Sequence, residues 1–423
     1  MPHVPEPRPG QALDDQALLD AVQRLTLRYF WDFGHPDSGM ARERSAGAVS
    51  YDVAQTVTTG GTGFGIMAMI AGAERGWISR ADLAARLRRI CDFLLASPRY
   101  LGAFPHWMHG ATGATIAFSP NDDGGDIVET AFLTMGLLTA RQYLAGDDPA
   151  LVRRIDAIWH GIDWAGFCPE PGRMMWHWRP PAPSGAPQPA PGLPIRGWHE
   201  ALIAFVLGAA SPHHPIDPAA YRIGWKDTPT FLNGHDFYGI TLPLGPDYGG
   251  PLFFSHYSFL GLDPRGLCDE SADYGLQNQA HSRINHAHCQ INPHGFAGYG
   301  PAWGLTACDC EAGYDAFSPL NDHGTLAPTA ALSAMPYVPD LSMAALRHYW
   351  ADSRLWGDLG PYDAFHPGTG WVASSHLAID QGPIVAMIEN HRSGLLWRLF
   401  MSVPELAGGL ARLGFSRAGL PLA

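Results

Sequence analysis

The chain has 423 residues, 46% of them hydrophobic and 16% charged, which is enough apolar material for a large core and excludes a disordered chain. Lysine and arginine total 27 against 40 aspartates and glutamates, and the resulting net charge of −13 repels polyanions such as nucleic acid. A neutral ligand fits better, and 14 Trp, 14 Tyr and 19 Phe supply flat apolar faces on which sugar rings and other bulky ligands can stack.

In chain order, the opening MPHVPEPRPG shows no cationic segment followed by an apolar one, so no signal peptide is read there. The expected compartment is the cytoplasm, or the periplasm if a leader has already been removed. Residues 1–12 read as a flexible tail and 13–423 as one domain. From there helical patterns recur and alternating strand patterns are scarce. Six segments are apolar nearly all round: GTGFGIMAMIAG from Gly61, DIVETAFLTMGLLTA from Asp126, HEALIAFVLGAA from His199, PLFFSHYSFLGL from Pro251, GTLAPTAALSAM from Gly324, and QGPIVAMIENHRSGLLWRLFM from Gln381. A helix without a polar face must be covered on both sides. Amphipathic helices follow most of them, from Arg80 with Ser79 as N-cap, and near Pro149, Pro215, Cys268 and Pro339. Runs from Leu13 to Phe33 and from Pro404 to Leu413 bracket the set. Six buried helices alternating with about six amphipathic ones predict an all-α (α/α)6 barrel. No run reaches the ~18 apolar residues of a membrane span. The segment Pro180–Pro194, PPAPSGAPQPAPGLP, is too proline-rich for helix or central strand and reads as a rim loop.

Three of the buried helices carry acids at their starts. Asp126 and Glu129 lie in the first turn of one, Glu200 opens another, and Asp380 immediately precedes a third. A carboxylate in an apolar helix is costly unless it is hydrogen-bonded or faces water. Convergence of such helix starts on one rim would gather the acids at a single mouth, as glycoside hydrolysis requires of its acid and base. The bland alternative is that each acid caps free N–H groups and complements the helix dipole. Glu129 and Glu200, flanked by IV–TAF and WH–ALIAF, resist that explanation best. Trp176 is either packing or a sugar platform.

Other patterns carry less. Asp122-Asp123-Gly-Gly-Asp126 matches the DDxxD pattern of class I isoprenoid synthases, but the glycines break the helix that motif needs and no basic cluster awaits a diphosphate. GGTGFG from Gly60 to Gly65 does not satisfy G-x-G-x-x-G. Six cysteines are too few for a disulfide framework, and the Cys308/Cys310 pair has no second pair at zinc spacing. Among 20 histidines, His281, His286 and His288 cluster on one helix, where a structural role is the favoured reading and metal binding the sharper one.

Several long runs resemble the bacterial glycoamylase-like proteins that include the endo-β-1,2-glucanases, glycoside hydrolase family 144. They are IRGWHEALIAFVLGAASP (Ile195 to Pro212), GPLFFSHYSFLGLDPRG (Gly250 to Gly266), GYGPAWGLTACD (Gly298 to Asp309), LAPTAALSAMPYVP (Leu326 to Pro339) and IDQGPIVAMIENHRSGLLWRLFM (Ile379 to Met401). The resemblance extends from about Leu18 to Phe415 and implies an (α/α)6 fold, anomeric inversion and no metal or other cofactor. It implies acidic sugar-site positions at Asp122, Asp126, Glu129, Glu200 and Asp380. The catalytic candidates are therefore Glu200, Glu129, Asp126 and Asp122, and the candidate sugar contacts are Asp380, Trp198, His199, His256, Trp176, Trp303 and Glu389. His199 stands where the family often has Asn, and the proline-rich insert replaces a plainer loop; both flank Glu200.

The expected activity is hydrolysis of β-1,2-glucan or its oligosaccharides. An exo-acting or sophorose-type glucosidase, a transglycosylase and a non-catalytic glucan binder are the alternatives. Asp122, Asp126 and Asp380 are expected to stay ionised, and Glu129 or Glu200 to hold the proton of a general acid.

Overall fold

The structure, a computed structural model, describes residues 7–170, 172–178 and 192–417. Of the proline-rich segment only Gly192–Pro194 falls within them, and Met1–Glu6 lie outside. Twelve α-helices occur among the described residues: α1 Asp15–Trp31, α2 Thr59–Glu74, α3 Arg80–Ala96, α4 Ile127–Tyr143, α5 Pro149–His160, α6 Leu202–Ala210, α7 Tyr274–Ile291, α8 Pro328–Ser333, α9 Pro339–Ala351, α10 Ala378–Ser393, α11 Leu395–Met401 and α12 Pro404–Leu413. Side-chain caps mark the starts the sequence indicated. Asp14, Ser79, Asp126, Asp148 and Asp273 each accept a backbone N–H from the first turn of α1, α3, α4, α5 and α7.

The apolar segments fold as buried elements, with three differences, one being that QGPIVAMIENHRSGLLWRLFM breaks at Gly394 into α10 and α11. PLFFSHYSFLGL forms two short 3₁₀ turns, Leu252–Ser255 and Tyr257–Leu260, instead of one α-helix. GTLAPTAALSAM yields only the six residues of α8. The amphipathic helix expected near Pro215 is a single π-turn, Ala220–Trp225. Helix α2 packs on α1, α4 and α10, while α4 also packs on α6 and α10 on α8. The α2–α4 contact is made backbone to backbone at Gly63 and Gly136, where an added Cβ would come within 2.2 Å of the facing helix. Gly382 of α10 lies equally tight against α2, its would-be Cβ 2.4 Å from that of Phe64. These glycines let three helices approach closely enough to share one core.

Among the described residues the strands are short and antiparallel, in six pairs and one three-stranded sheet, with no core sheet. Two of the pairs position the site. Gly125–Asp126 pairs with His177–Trp178, setting Asp126 opposite His177. Ala307–Cys310 pairs with Gly313–Ala316, setting Tyr314 opposite Asp309. Near the N-terminus, Gly10 N–H donates to the Trp350 carbonyl at 2.7 Å and the Trp350 indole donates to the Gln11 carbonyl at 2.9 Å, so these two residues are tied to α9. No helix among the described residues is long and apolar enough to cross a membrane.

Candidate active site

A cavity of about 510 Å³ opens at the starts of α2, α4 and α6. Asp122, Asp126, Glu129 and Glu200 all line it, so four acids spread over 78 positions of sequence meet in one place. Exposed apolar side chains mark its rim: Phe118 (48% exposed), Leu193 (64%) and Tyr314 (51%). At a concave mouth such faces suit the apolar faces of sugar rings.

One wall is built around His106, which the sequence reading missed. Its Nδ1 lies 2.9 Å from Asp122 Oδ2 and 3.4 Å from Asp126 Oδ2, and its Nε2 3.9 Å from Glu129 Oε1. Burial opposes the imidazolium, but Glu129, Asp122 and Asp126 outweigh it and hold His106 well above the usual histidine range. Asp126 is the N-cap of α4. Its Oδ1 accepts from Val128 N and Glu129 N, both at 2.9 Å, and its Oδ2 accepts from the Trp176 indole at 3.2 Å. Burial would raise Asp122, yet hydrogen bonds from His106 and His177 bring it down to about 2. Glu129 goes the other way. Burial pushes it up to about 7, against the pull of His106 and of the Gly60 N–H that donates to Oε2 at 2.8 Å. Gly60 is required there, because a Cβ would stand 2.5 Å from that oxygen. His106, Asp122 and Asp126 are close enough to ligate a cation, but their facing atoms are already engaged with one another and with Trp176.

Glu200 precedes α6 by two residues. The Ser258 hydroxyl donates to its carbonyl and accepts from Ile203 N at 3.0 Å, fixing the entry to the helix. Its Oε2 is buried with no hydrogen-bond partner, 3.5 Å from His199 Nδ1. Asp122 Oδ1 and His177 Nδ1 are likewise buried without partners. Unsatisfied buried polar atoms cost about 1–3 kcal/mol each, and the three in this cavity are ones that sugar hydroxyls can satisfy. Trp176 lines the cavity, and its indole stacks on His199 at 5.3 Å; His199 itself stands behind that wall, beside Glu200.

A second acidic group was legible in the sequence only through Asp380. Arg44 Nη1 reaches both oxygens of Asp309, at 3.0 and 3.1 Å, and its Nε reaches Glu43 Oε2 at 2.9 Å. Tyr51 also donates to Glu43, and Asp363 Oδ2 accepts from Asp309 N at 2.7 Å. Asp380 lies in the first turn of α10, which begins at Ala378, so it does not precede the helix as expected. It is not ionised by the helix dipole either. Burial, then the neighbouring Asp363, drive it well above the usual carboxylate range, and Asp363 rises through burial and Asp309. Glu43, Arg44 and Tyr51 line the cavity. The buried hydroxyl of Tyr257, also lining it, is raised by burial and by the charges of both Asp380 and Glu200, which ties the two acidic groups together. The sequence signal for Asp309 is its place between the two cysteines of ACDC, an acid in a strand that is otherwise apolar.

Four expected sugar contacts are placed elsewhere. Trp198 is buried in an aromatic core, 5.8 Å from Trp225 and 5.6 Å from Tyr274. Trp303 is buried under α9, its backbone bonded to Tyr349. His256 is buried against Tyr337, and burial with nearby His281 lowers it to about 3. Glu389 lies about 13 Å along α10 from Asp380, bonded to Arg75 at 2.8 and 3.1 Å. Trp303 and Glu389 are paired inside the fold, whereas Trp198 and His256 are held by packing, with Trp198 Nε1 and His256 Nε2 buried without hydrogen-bond partners.

Residues 192–404 match the Glycoamylase family model, described as "Putative glucoamylase". A Bacteroides uniformis structure of the same description is 49% identical, covers 96% of this chain and 99% of its own, and superposes with a TM-score of 0.91. The chain belongs to the glycoamylase family. An endo-β-1,2-glucanase from Chitinophaga pinensis, solved with sophorotriose and glucose, is 44% identical over 97% of this chain and 100% of its own, with a TM-score of 0.91. An exo-β-1,2-glucooligosaccharide sophorohydrolase of Parabacteroides distasonis is 39% identical over 95% of this glycoamylase-family chain, which spans 58% of that relative's length.

Proposed function

We propose that this chain is a glycoside hydrolase acting on β-1,2-glucan or β-1,2-linked glucooligosaccharides, within a single (α/α)6 domain whose inner layer is built from the apolar segments. The observation that carries the reading is the cavity itself: carboxyls held in opposite protonation states, unpaired buried polar atoms and an apolar rim, in a chain whose family includes β-1,2-glucan hydrolases. Glu129 and Glu200 are the two groups able to give a proton to the glycosidic oxygen or take one from water. Asp122 and Asp126, fixed by His106 and Trp176, orient sugar hydroxyls. Asp380, read from sequence as a sugar contact, does not line the cavity; it is buried beside Asp363 and raised well above the usual carboxylate range, so it acts on the site from behind its wall. Turnover proceeds with anomeric inversion, as the family resemblance implies.

The likeness to a sophorohydrolase favours one second reading, exo-cleavage releasing sophorose. Incubation with linear β-1,2-glucan and chromatography of the products decides between them. A ladder of oligosaccharides means endo-cleavage; sophorose alone from the first time point means exo-cleavage. No product from β-1,2-, β-1,3-, β-1,4- or α-linked glucans overturns hydrolysis in favour of a glucan-binding protein. Proton NMR of the first product anomer checks inversion.

A further inference from the structure

Away from the cavity, three segments converge on His288, His294 and Asp322. His288 is in the last turn of α7, His294 in the loop after it, and Asp322 in the turn preceding α8. A ring nitrogen of each histidine and an oxygen of Asp322 all lie within 4.8 Å of one another. His288 Nε2 and Asp322 Oδ2 face each other at 2.9 Å. Bonds of ~2.0–2.2 Å to a tetrahedral zinc ion place ligand atoms about 3.3 Å apart. The buried pair already stands near that spacing, and His294, exposed at the surface, is free to close the remainder.

The two buried residues are gripped from behind. The Tyr238 hydroxyl lies 2.9 Å from His288 Nδ1, and Asp322 Oδ1 accepts from the Tyr299 hydroxyl at 2.6 Å and from Gly324 N at 3.0 Å. Outer partners on the far side of an imidazole and a carboxylate fix the orientation and tautomer that metal ligation needs. A hydrogen-bonded His–Asp pair alone would account for His288 and Asp322, but not for a second imidazole directed at the same point.

We propose that His288, His294 and Asp322 bind one divalent transition-metal ion of the zinc class, leaving a fourth position to water. With His288 neutral, the ion takes the place of the hydrogen between Nε2 and Oδ2. That proton moves to Nδ1, where the Tyr238 hydroxyl turns from donor to acceptor, and no proton is released. None of the three residues lines the cavity, so the ion clips the end of α7 to the turn before α8 and contributes stability instead of chemistry.

The test uses the full chain without a histidine tag, stripped with EDTA and titrated with zinc chloride by calorimetry, with Tm measured in parallel. One equivalent should bind and raise Tm, because a ligand that binds only the folded state stabilises it. His294→Ala, a surface change that leaves the fold intact, should remove that equivalent and the Tm shift. Tyr299→Phe should weaken binding by about tenfold. Hydrolysis of β-1,2-glucan should be the same with and without zinc, so this result stands apart from the activity test. Absence of a saturable equivalent, or equal affinity in H294A, overturns the proposal; the latter would place the ion elsewhere, including at His106, Asp122 and Asp126.

Discussion

A carboxyl on α4 keeps its proton near neutrality because the fold removes water from it faster than His106 and Gly60 can replace that solvation. Its neighbour Asp122, two hydrogen bonds richer in histidine, is ionised. This contrast within one wall is the division a proton-transfer site needs, and it sets the roles to be tested. Glu129→Gln and Glu200→Gln should each lower turnover on β-1,2-glucan by about 10²–10⁴-fold. An aryl sophoroside with a good leaving group needs no protonation, so it should restore turnover to the variant that lost the acid and leave the other inactive. Rescue of both, or of neither, refutes the paired assignment. Asp380→Asn tests the second acidic group: if the buried proton matters only to packing, turnover stays and Tm changes, whereas loss of turnover at unchanged Tm places Asp380 in the chemistry.

At the scale of elements, the site depends on how closely α2 and α4 approach, since Gly60 on one holds Glu129 on the other. Gly136→Ala would push a Cβ to 2.2 Å from the Gly63 carbonyl, a backbone atom that cannot swing aside. A destabilisation of about 3 kcal/mol or more is expected, at the upper end of overpacking effects, read from denaturant unfolding. Less than 1 kcal/mol (about the cost of a tolerated volume change) would show that the helices can part without losing the fold. The proline-rich segment acts differently. Its exit, Leu193, lines the cavity, and the Leu193 carbonyl accepts from Trp176 N at 2.7 Å. Deleting Pro183–Pro191 should change product length or apparent affinity and leave turnover on small substrates. Equal loss on every substrate would make the segment a support for the catalytic geometry.

For the whole molecule, the charged wall couples stability to pH. Asp122 has a folded value of about 2 against 3.8 for the free side chain, so its contribution is present above 3.8 and lost as pH falls towards 2. His106 is raised above 6.5, so its contribution is present below that and lost as pH climbs through its folded value. Glu129, raised from 4.5 to about 7, stabilises most when protonated and loses that contribution as pH rises between those values. The wall therefore stabilises most in mildly acidic solution. Asp122→Asn should cost about 2 kcal/mol at pH 6 and progressively less towards pH 2, measured by urea unfolding at each pH. A penalty independent of pH would mean that the carboxylate charge is not what His106 and His177 hold.

Much of this was legible without coordinates. Apolar runs, N-caps and amphipathic spacing are local properties, so the order of helices and the acids at their starts could be read from the chain, and Asp122, Asp126, Glu129 and Glu200 do share one cavity. Two short runs misled for an equally local reason: total apolarity says that a segment is buried, but not that it is long enough or regular enough to be an α-helix. What only the tertiary structure decided is which distant groups face one another. Nothing near His106 in sequence announces three carboxylates, and Arg44 meets Asp309 across 265 positions. The same is true of exclusions. Trp198, Trp303 and Glu389 have the chemistry of a sugar site, yet an aromatic core, a tyrosine and an arginine claim them first. Residue type and spacing set what a side chain can do; its protonation and its partner depend on burial and on the charges packed around it, which exist only once the helices have come together.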